Sequence, residues 1–423
     1  MNLFHRIGAA SARHRRLVFA AWLLAVAVAV PLAPQASGVL RAGGFSAPDL
    51  ESARARAVLE AELGLPQSVL VIIARSETSA RAGDPAFEEA VARALADVPS
   101  VRHVKGIQSH LRSPRQVSAD RRTVYEIVSL DLEPDRSPEV MPGIEAALHE
   151  QPGISLMLAG APAFYGDIQA VSEADLQRSE LISIPLAAVA LLVVFGSVVA
   201  AGVPLIVGGA SALIALAVVF LVGSLTPMSI FVLNLATLMG LGLGVDYSLL
   251  VASRFREELA LRGGGRRPDG SVDQAIVDEA VAVTTGTAGR AIFFSALSVL
   301  LGVVGLLLFD FMILRSIGIA GGVVMVLGMA AALTLLPAVL SYIGPRIDAL
   351  TLRRTRALPD AEGPWARFAR RVMERPWQVL LPTLALLLLL GWPFLHARVN
   401  APDATILPPD VHSRQAYDLL VRE

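Results

Sequence analysis

Residues 234–250 read NLATLMGLGLGVDYSLL, an apolar run that contains a single acidic residue, Asp246. Apolar residues continue on both sides, from 228 to 252, which is long enough for a helix that crosses a bilayer. An ionised carboxylate inside a bilayer costs about 2.5 to 3.5 kcal/mol even on lenient insertion scales. The sequence therefore predicts a membrane helix in which a partner, a water-filled cavity or a bound proton compensates for Asp246.

Six further apolar runs have similar lengths and lie at 17–32, 181–199, 203–222, 291–309, 313–340 and 379–395. Together they predict an α-helical polytopic membrane protein with about seven transmembrane helices. The composition agrees, because 54% of the 423 residues are hydrophobic and 17% are charged. Soluble proteins have about 45 to 50% and about 25%, respectively, so a soluble globular protein is excluded.

The uneven distribution of arginine predicts the orientation of these runs. The arginines before the first run are Arg6, Arg13, Arg15 and Arg16. By alternation, residues 254–290 and 344–376 lie on the same side as the N-terminus, and both are rich in arginine, whereas the short loops 223–227 and 310–312 contain none. The positive-inside rule therefore predicts a multi-pass protein of the cell membrane with a cytoplasmic N-terminus.

Residues 38–178, between the first two runs, are polar enough to fold outside the membrane. Branched residues predict strands at 68–74, 101–107, 123–132 and 154–158. Helical spacing with a nearby proline predicts helices at 85–98 and 139–148. The order strand, helix, strand, strand, helix, strand predicts an extracytoplasmic α+β domain of the ferredoxin-like, porter type. A last helix from Pro162 is predicted to continue through Glu180 into the second span.

Two exported stretches of the chain resemble each other at a constant offset. The aligned pairs are Ser52 with Ser413, Ala55 with Ala416 and Leu59 with Leu420. Duplicated halves are common in transporters, so we expect the first half of a duplicated protein and the opening of the second. The expected units are 1–37 (N-terminus and span one), 38–178 (extracytoplasmic domain), 179–343 (spans two to six with the cytoplasmic loop 254–290), 344–376 (cytoplasmic linker), 377–397 (span seven) and 398–423 (start of a second, incomplete extracytoplasmic domain).

One helix is predicted inside the cytoplasmic loop. Ser271 and Gln274 have the spacing of a capping box, and apolar residues follow on one side up to Thr285. This pattern is typical of a helix at the membrane interface, and equally of a plain connecting helix.

The candidate functional residues cluster around the fourth span. Asp246 lies eight residues before Arg254, about 12 Å from the cytoplasmic end of the helix, so it is too deep to reach the headgroups. It can load and unload a proton, or accept one static hydrogen bond. Tyr247 can share that proton or simply pack against lipid. Ser295 in the fifth span can bond the carboxylate or its own backbone.

Three glycines precede this aspartate. Gly240 and Gly244 have the small-xxx-small spacing that permits close approach of another helix, and Gly242 lies between them. They serve either simple packing or the opening of the site.

The sequence lacks the motifs that are typical of several classes of protein. There is no cysteine, and the only lysine, Lys105, does not follow glycine as a Walker A lysine does. The seven histidines form no HExxH pattern and no GxSxG sequence occurs. A net charge of −1 gives no basic surface for nucleic acid. We therefore expect no enzyme, metal site, cofactor or nucleic-acid partner.

The combination of motifs resembles a known family. GLGVDYS at 242–248 and SRFREE at 253–258 look like the fourth-helix signature of the MMPL family, within the resistance-nodulation-division superfamily. Further similar motifs, in the expected order, are GAPA at 160–163, DLQRSE at 175–180, GRAIFFS at 289–295 and LPA at 336–338.

The resemblance implies a proton-driven exporter of lipids or other hydrophobic molecules. Asp246 and Tyr247 match the family's proton-relay pair, and Ser295 matches a nearby relay serine. In that family an equivalent pair comes from a tenth helix, so the expected partners include a C-terminal half or another copy of the chain, besides protons, the lipid bilayer and the substrate. A non-transporting membrane sensor or an accessory of protein export is the alternative, since one architecture serves several functions.

Overall fold

The computed structural model describes residues 2–44, 50–352, 364–397 and 403–422. Parts of the predicted linker and of the predicted segment 398–423 therefore lie outside the described residues. Within the described ranges, seven helical segments are long and apolar enough to cross a membrane: Arg15–Val39, Ala161–Phe195, Val198–Leu225, Val232–Leu261, Gln274–Leu308, Met312–Asp348 and Pro376–His396. The predicted helical polytopic architecture is confirmed.

The first part of the chain contains span one and a small sheet. Its elements are α1 (Leu3–Arg13), α2 (Arg15–Leu32), α3 (Ala36–Val39), α4 (Glu51–Leu63), β1 (Ser68–Ser76), α5 (Pro85–Ala94), β2 (Val104–Gln108), β3 (Thr123–Leu130), α6 (Met141–Ala147) and β4 (Ile154–Gly160). We call residues 50–160 the sheet domain. From β1 to β4 its elements follow the predicted order of strands and helices.

The remainder of the chain is helical. Its elements are α7 (Ala161–Phe195), α8 (Val198–Leu225), α9 (Val232–Leu261), α10 (Gln274–Thr284), α11 (Arg290–Val304), α12 (Met312–Ala330), α13 (Leu336–Ile343), α14 (Pro364–Glu374), α15 (Pro376–Gly391) and α16 (His412–Arg422). Spans five and six each contain a short π-helical stretch, Thr285–Gly289 and Ala331–Leu335, which joins α10 to α11 and α12 to α13.

The four strands form one antiparallel sheet in the order β2-β3-β1-β4. Alternate residues of β1, including Leu70 and Ile72, are fully buried in a core with Phe87 of α5 and Ile144 of α6. The predicted strands and helices are thus present, with ends shifted by a few residues. The ferredoxin-like assignment stays an interpretation of their order.

The other face of the sheet is covered by α16. Ala416 is buried against Ile73 of β1 and Ala159 of β4. The backbone N–H of Ser413 donates a hydrogen bond to Asp167 Oδ2 on α7 at 3.0 Å. The described residues of the predicted segment 398–423 therefore pack on the sheet domain.

A single helix connects the sheet domain to the membrane bundle. α7 has 35 residues and runs without interruption from β4 through the second span, as the sequence predicts. It begins after Gly160, which has a φ of +96° and lies so close to β1 that a Cβ there would be 2.6 Å from the carbonyl oxygen of Val69. Only glycine fits this position without strain. The expected boundary at 178/179 falls inside this continuous helix.

The predicted cytoplasmic loop 254–290 is mostly helical and contains the helix expected after Ser271. α9 continues to Leu261, and span five begins as α10 at Gln274. The cap of α10 differs from the prediction, because Asp273 rather than Ser271 accepts the first free N–H groups. Ser271 instead donates its hydroxyl to Asp269 at 2.6 Å, so it belongs to the preceding turn.

α10 packs inside the protein. Its residues Val277, Ala280 and Val281 are buried, and the helix lies between α1 and α9. It continues through Thr285–Gly289 into α11, and the choice between an interfacial and a connecting helix stays a prediction. In the bundle, spans three, four and six are the most buried, whereas no residue of α15 is buried.

Candidate functional site

The fourth span, α9, has one face that packs tightly on α8. A Cβ added at Gly244 would lie 2.3 Å from the Cα of Gly208, and one at Gly240 would lie 3.0 Å from the Cβ of Ala212. The two backbones approach so closely that no larger residue fits. Gly208 and Ala212 were not predicted from the sequence, although they repeat the four-residue spacing of small residues that identified Gly240 and Gly244.

A second face of α9 is exposed. Leu238, Gly242, Asp246 and Leu250 follow at intervals of four residues and all are exposed on the bundle. A Cβ added at Gly242 would meet nothing within 4 Å. The three glycines grouped by sequence thus divide into two that pack against α8 and one that lies beside Asp246 on the open face.

Asp246 has no hydrogen-bond or ion-pair partner within the described ranges. It forms neither a hydrogen bond nor an ion pair with any of those residues. Ser295, which the sequence suggested as a hydrogen-bond donor to this carboxylate, does not donate to it. A carboxylate in the middle of a membrane helix is therefore left open on the surface of the bundle.

Tyr247 connects the two helices that carry the predicted residues. Its side chain is buried, because successive residues of a helix point about 100° apart and Tyr247 faces the bundle while Asp246 faces outward. Tyr247 lies within electrostatic reach of the Asp246 carboxyl and of the Ser295 side chain on α11. The structure thus places the three predicted residues near one another, with Asp246 on the open face and Tyr247 turned towards the bundle.

Two buried polar groups on α9 were not predicted as part of a site. Ser248 Oγ and Asn234 Oδ1 have no hydrogen-bond partner among the described residues. Their sequence signal was present, since a polar side chain in an apolar membrane helix is expensive and usually functional. With Asp246 and Tyr247 they place four polar side chains in an otherwise mostly apolar part of this helix.

A second titratable cluster lies in the sheet domain, and its central histidine has a partner at each ring nitrogen. His110 is buried, and its Nε2 lies 2.9 Å from Oε2 of Glu88 while its Nδ1 bonds to Glu126. The hydrogen bond with Glu126 raises the pKa of the His110 imidazole above its ordinary value, although burial acts in the opposite direction. No sequence motif joins these three residues, because they come from separate elements.

No group of three or more His, Cys, Asp or Glu side chains within residues 2–44, 50–352, 364–397 and 403–422 has an arrangement that could hold a metal ion.

Comparison with known proteins identifies relatives among bacterial membrane proteins. A membrane protein of Streptomyces coelicolor is 34% identical over 350 residues, which cover 81% of this chain and 47% of that protein. The trehalose monomycolate exporter MmpL3 of Mycolicibacterium smegmatis is 32% identical over 324 residues, covering 70% of this chain and 31% of the exporter. The heme uptake protein MmpL11 of Mycobacterium tuberculosis is 29% identical over 397 residues, covering 90% of this chain and 39% of that protein.

The chain therefore spans less than half the length of these curated relatives. The profile of the MMPL family matches residues 44–379, which include the sheet domain and spans two to six. Because this match extends over well more than half of the chain, the protein belongs to the MMPL family.

Proposed function

We propose that this chain forms part of a secondary transporter that exports lipids or other hydrophobic molecules across the cell membrane, driven by protons that bind at Asp246. The observation that carries the proposal is the unpartnered carboxylate of Asp246 in the middle of α9. A related protein that covers most of this chain is named a trehalose monomycolate exporter, which supports a lipid cargo.

The position of Asp246 explains how a proton can be coupled to movement. Lipid on the open face of α9 favours the protonated form of a carboxyl, and a polar partner that covers it favours the carboxylate. The two forms therefore favour different packing of α9. Each proton that crosses a potential of 100 mV supplies about 2.3 kcal/mol, enough to bias such a change.

The partner that covers Asp246 comes, in this proposal, from outside the seven described spans. The open stripe formed by Leu238, Gly242, Asp246 and Leu250 follows one face of α9, and the missing side chain at Gly242 lets another helix approach the carboxylate closely. A helix of a further segment, or of a second copy of the chain, fits this position. Tyr247 and Ser295 then pass the proton between α9 and α11.

The direction of export requires a defined topology. The arginine distribution supports a cytoplasmic N-terminus and cytoplasmic segments 254–290 and 344–376, with residues 38–178 outside. Because the chain has no cysteine, single cysteines at the exposed positions Ser79 and Ser271 test this directly. In intact cells an impermeant thiol reagent should label position 79 and spare position 271, and the reverse pattern would invert the topology.

Flux in reconstituted vesicles tests the function itself. We expect movement of a fluorescent lipid when the chain is reconstituted with its natural partner and a proton gradient is applied, and none after an ionophore collapses the gradient. Heme is measured in parallel, because another relative is named a heme uptake protein. A sensor or an accessory of protein export would give no gradient-dependent flux of either molecule.

A further inference from the structure

A pocket of about 670 Å³ lies at the junction of α1 and α2, where the chain enters the first span. One wall is the junction itself, with Arg13, His14 and Arg16, and the opposite wall is α10, with Asp278 and Glu279. Its lining includes none of Asp246, Tyr247 and Ser295, so it has no part in the proposed proton pathway. Its charges show what it can bind.

The acidic side chains of this pocket contact residues other than Arg13 and Arg16. Asp278 Oδ1 lies 3.9 Å from Arg15 Nη1 and accepts hydrogen bonds from Ser341 Oγ at 2.6 Å and from Gln274 Nε2 at 2.7 Å. Glu279 Oε1 lies 3.7 Å from His5 Nε2, and this contact is an ion pair only when the imidazole is protonated. The arginines of the pocket outnumber its carboxylates, which leaves an excess of positive charge.

Two arginines of the pocket remain without an acidic partner. Arg13 and Arg16 are exposed, and neither forms an ion pair or a side-chain hydrogen bond with any residue of the described ranges. Arg15, between them, donates from Nη1 to the carbonyl oxygen of the buried Ser341 at 3.3 Å and to its hydroxyl oxygen at 3.0 Å. This bond fixes the junction on α13, so the two free guanidinium groups are held at the mouth of one pocket.

The same pocket adjoins the lipid-facing surface of span one. Leu17 lines the pocket and is 73% exposed. Leu23 and Leu24, on the following turns of α2, are also exposed. A ligand in the pocket therefore meets arginine at one end and an apolar helix face at the other, which matches an amphiphile with an anionic head.

We infer that this pocket binds the phosphate of an anionic phospholipid headgroup in the leaflet that faces the N-terminus. A guanidinium group donates two parallel hydrogen bonds to phosphate oxygens. Two such groups at one site compensate the negative charge of a phosphate diester. Basic pockets between membrane helices bind such headgroups. A free phosphate ion offers the same chemistry without the acyl chains, and the experiment below separates the two.

The test uses the full chain in detergent with phosphatidylglycerol, and native mass spectrometry counts the lipid that stays bound. Each basic residue near an anionic lipid surface contributes roughly a fivefold factor in affinity. We therefore expect Arg13→Gln combined with Arg16→Gln to weaken the retained lipid about twentyfold or more. The double variant Arg13→Lys with Arg16→Lys keeps the charges and should retain most of the binding, which shows that the pocket still folds.

The matched control removes the same charge elsewhere on the same side of the protein. Arg6 and Arg266 are exposed and do not line the pocket, so Arg6→Gln with Arg266→Gln should change retention less than twofold. Equal losses in both double glutamine variants would overturn the inference, because binding would then follow net charge. It would also be overturned by an unchanged pocket variant, or by displacement of the lipid by millimolar inorganic phosphate, which would identify free phosphate as the ligand.

Discussion

Asp246 and His110 are both ionisable side chains placed among apolar residues, but they differ in their hydrogen-bond partners. His110 is buried in the sheet domain between Glu88 and Glu126, and both ring nitrogens have a carboxylate partner. Asp246 lies in a membrane helix on the open face of the bundle, without a partner among the described residues. The described residues supply the hydrogen-bond partners of His110, and they supply none for Asp246.

The difference shows which of the two groups is free to change its state. A polar network with every member satisfied is rigid, and its protonation is tied to folding of the domain. An unsatisfied carboxyl is costly, so it persists only where a second component or a bound proton repays the cost. Titration of His110 should therefore affect stability, whereas titration of Asp246 should affect transport.

The largest effect is expected at Asp246. Asp246→Asn removes the titrating group but keeps its shape, so proton-driven export should fall by about 100-fold or more, the scale of a lost proton-transfer group. The melting temperature should not change, because Asp246 forms no hydrogen bond or ion pair within the described ranges. Vesicle flux and thermal unfolding in detergent measure the two effects. Asp310→Asn, in the loop between α11 and α12, is the control and should leave export intact.

His110 should show the opposite behaviour, a loss of stability without a direct effect on proton coupling. Removal of one member of a buried ion pair costs about 3 to 5 kcal/mol, so His110→Gln should reduce the stability of the sheet domain by roughly this amount. Hydrogen exchange of the amides of β3 and α5 in the intact protein measures it. His149→Gln is the control, since His149 and its partner Asp97 are exposed.

The pH dependence of the same measurement shows whether protonation of His110 stabilises or destabilises the sheet domain. Because the pKa of His110 is raised in the folded protein, its contribution is fully present below its ordinary pKa of about 6.5 and is lost as the pH rises through the raised value. Protection of β3 should therefore decrease with rising pH, after correction for intrinsic exchange, and His110→Gln should abolish this dependence. A wild-type profile that is flat or rises in this window would contradict a charged His110.

The smallest expected effect sharpens the comparison within α9 itself. Gly244→Ala places a methyl group against the backbone of Gly208 and should destabilise the bundle by about 1 to 3 kcal/mol. Gly242→Ala, two residues away, points into open space and should cost nothing in the isolated chain. Equal unfolding temperatures of the two variants would contradict the close contact between α8 and α9 at Gly244.

The general architecture could be read from the sequence because its signals are local. Each span is a long apolar run, and each strand is a cluster of branched residues, so both depend only on neighbours in the chain. The polar exception, Asp246, was equally visible because it interrupts such a run. Its lack of a partner was not, since that depends on which helices pack beside α9.

The features that the sequence did not predict are those that join distant residues. Gly244 was recognised as a packing residue, but its contact with Gly208 required the arrangement of two helices. The His110 cluster joins an α-helix, a loop and a strand without any shared motif. The cap of α10 failed for a different reason, because Ser271 and Asp273 are both good capping residues and the turn at Asp269 engages the first.

The packing of α16 on β1 and β4 has a consequence for the order in which the protein is made. Ile73 and Ala159 emerge from the ribosome with the sheet domain, but the residue that covers them, Ala416, follows roughly 250 residues after the end of β4. At about 5 to 20 residues per second this interval lasts about 12 to 50 s. During synthesis the sheet therefore presents an uncovered apolar face until the seventh span has been made, and a chaperone on that side of the membrane has this period in which to bind it.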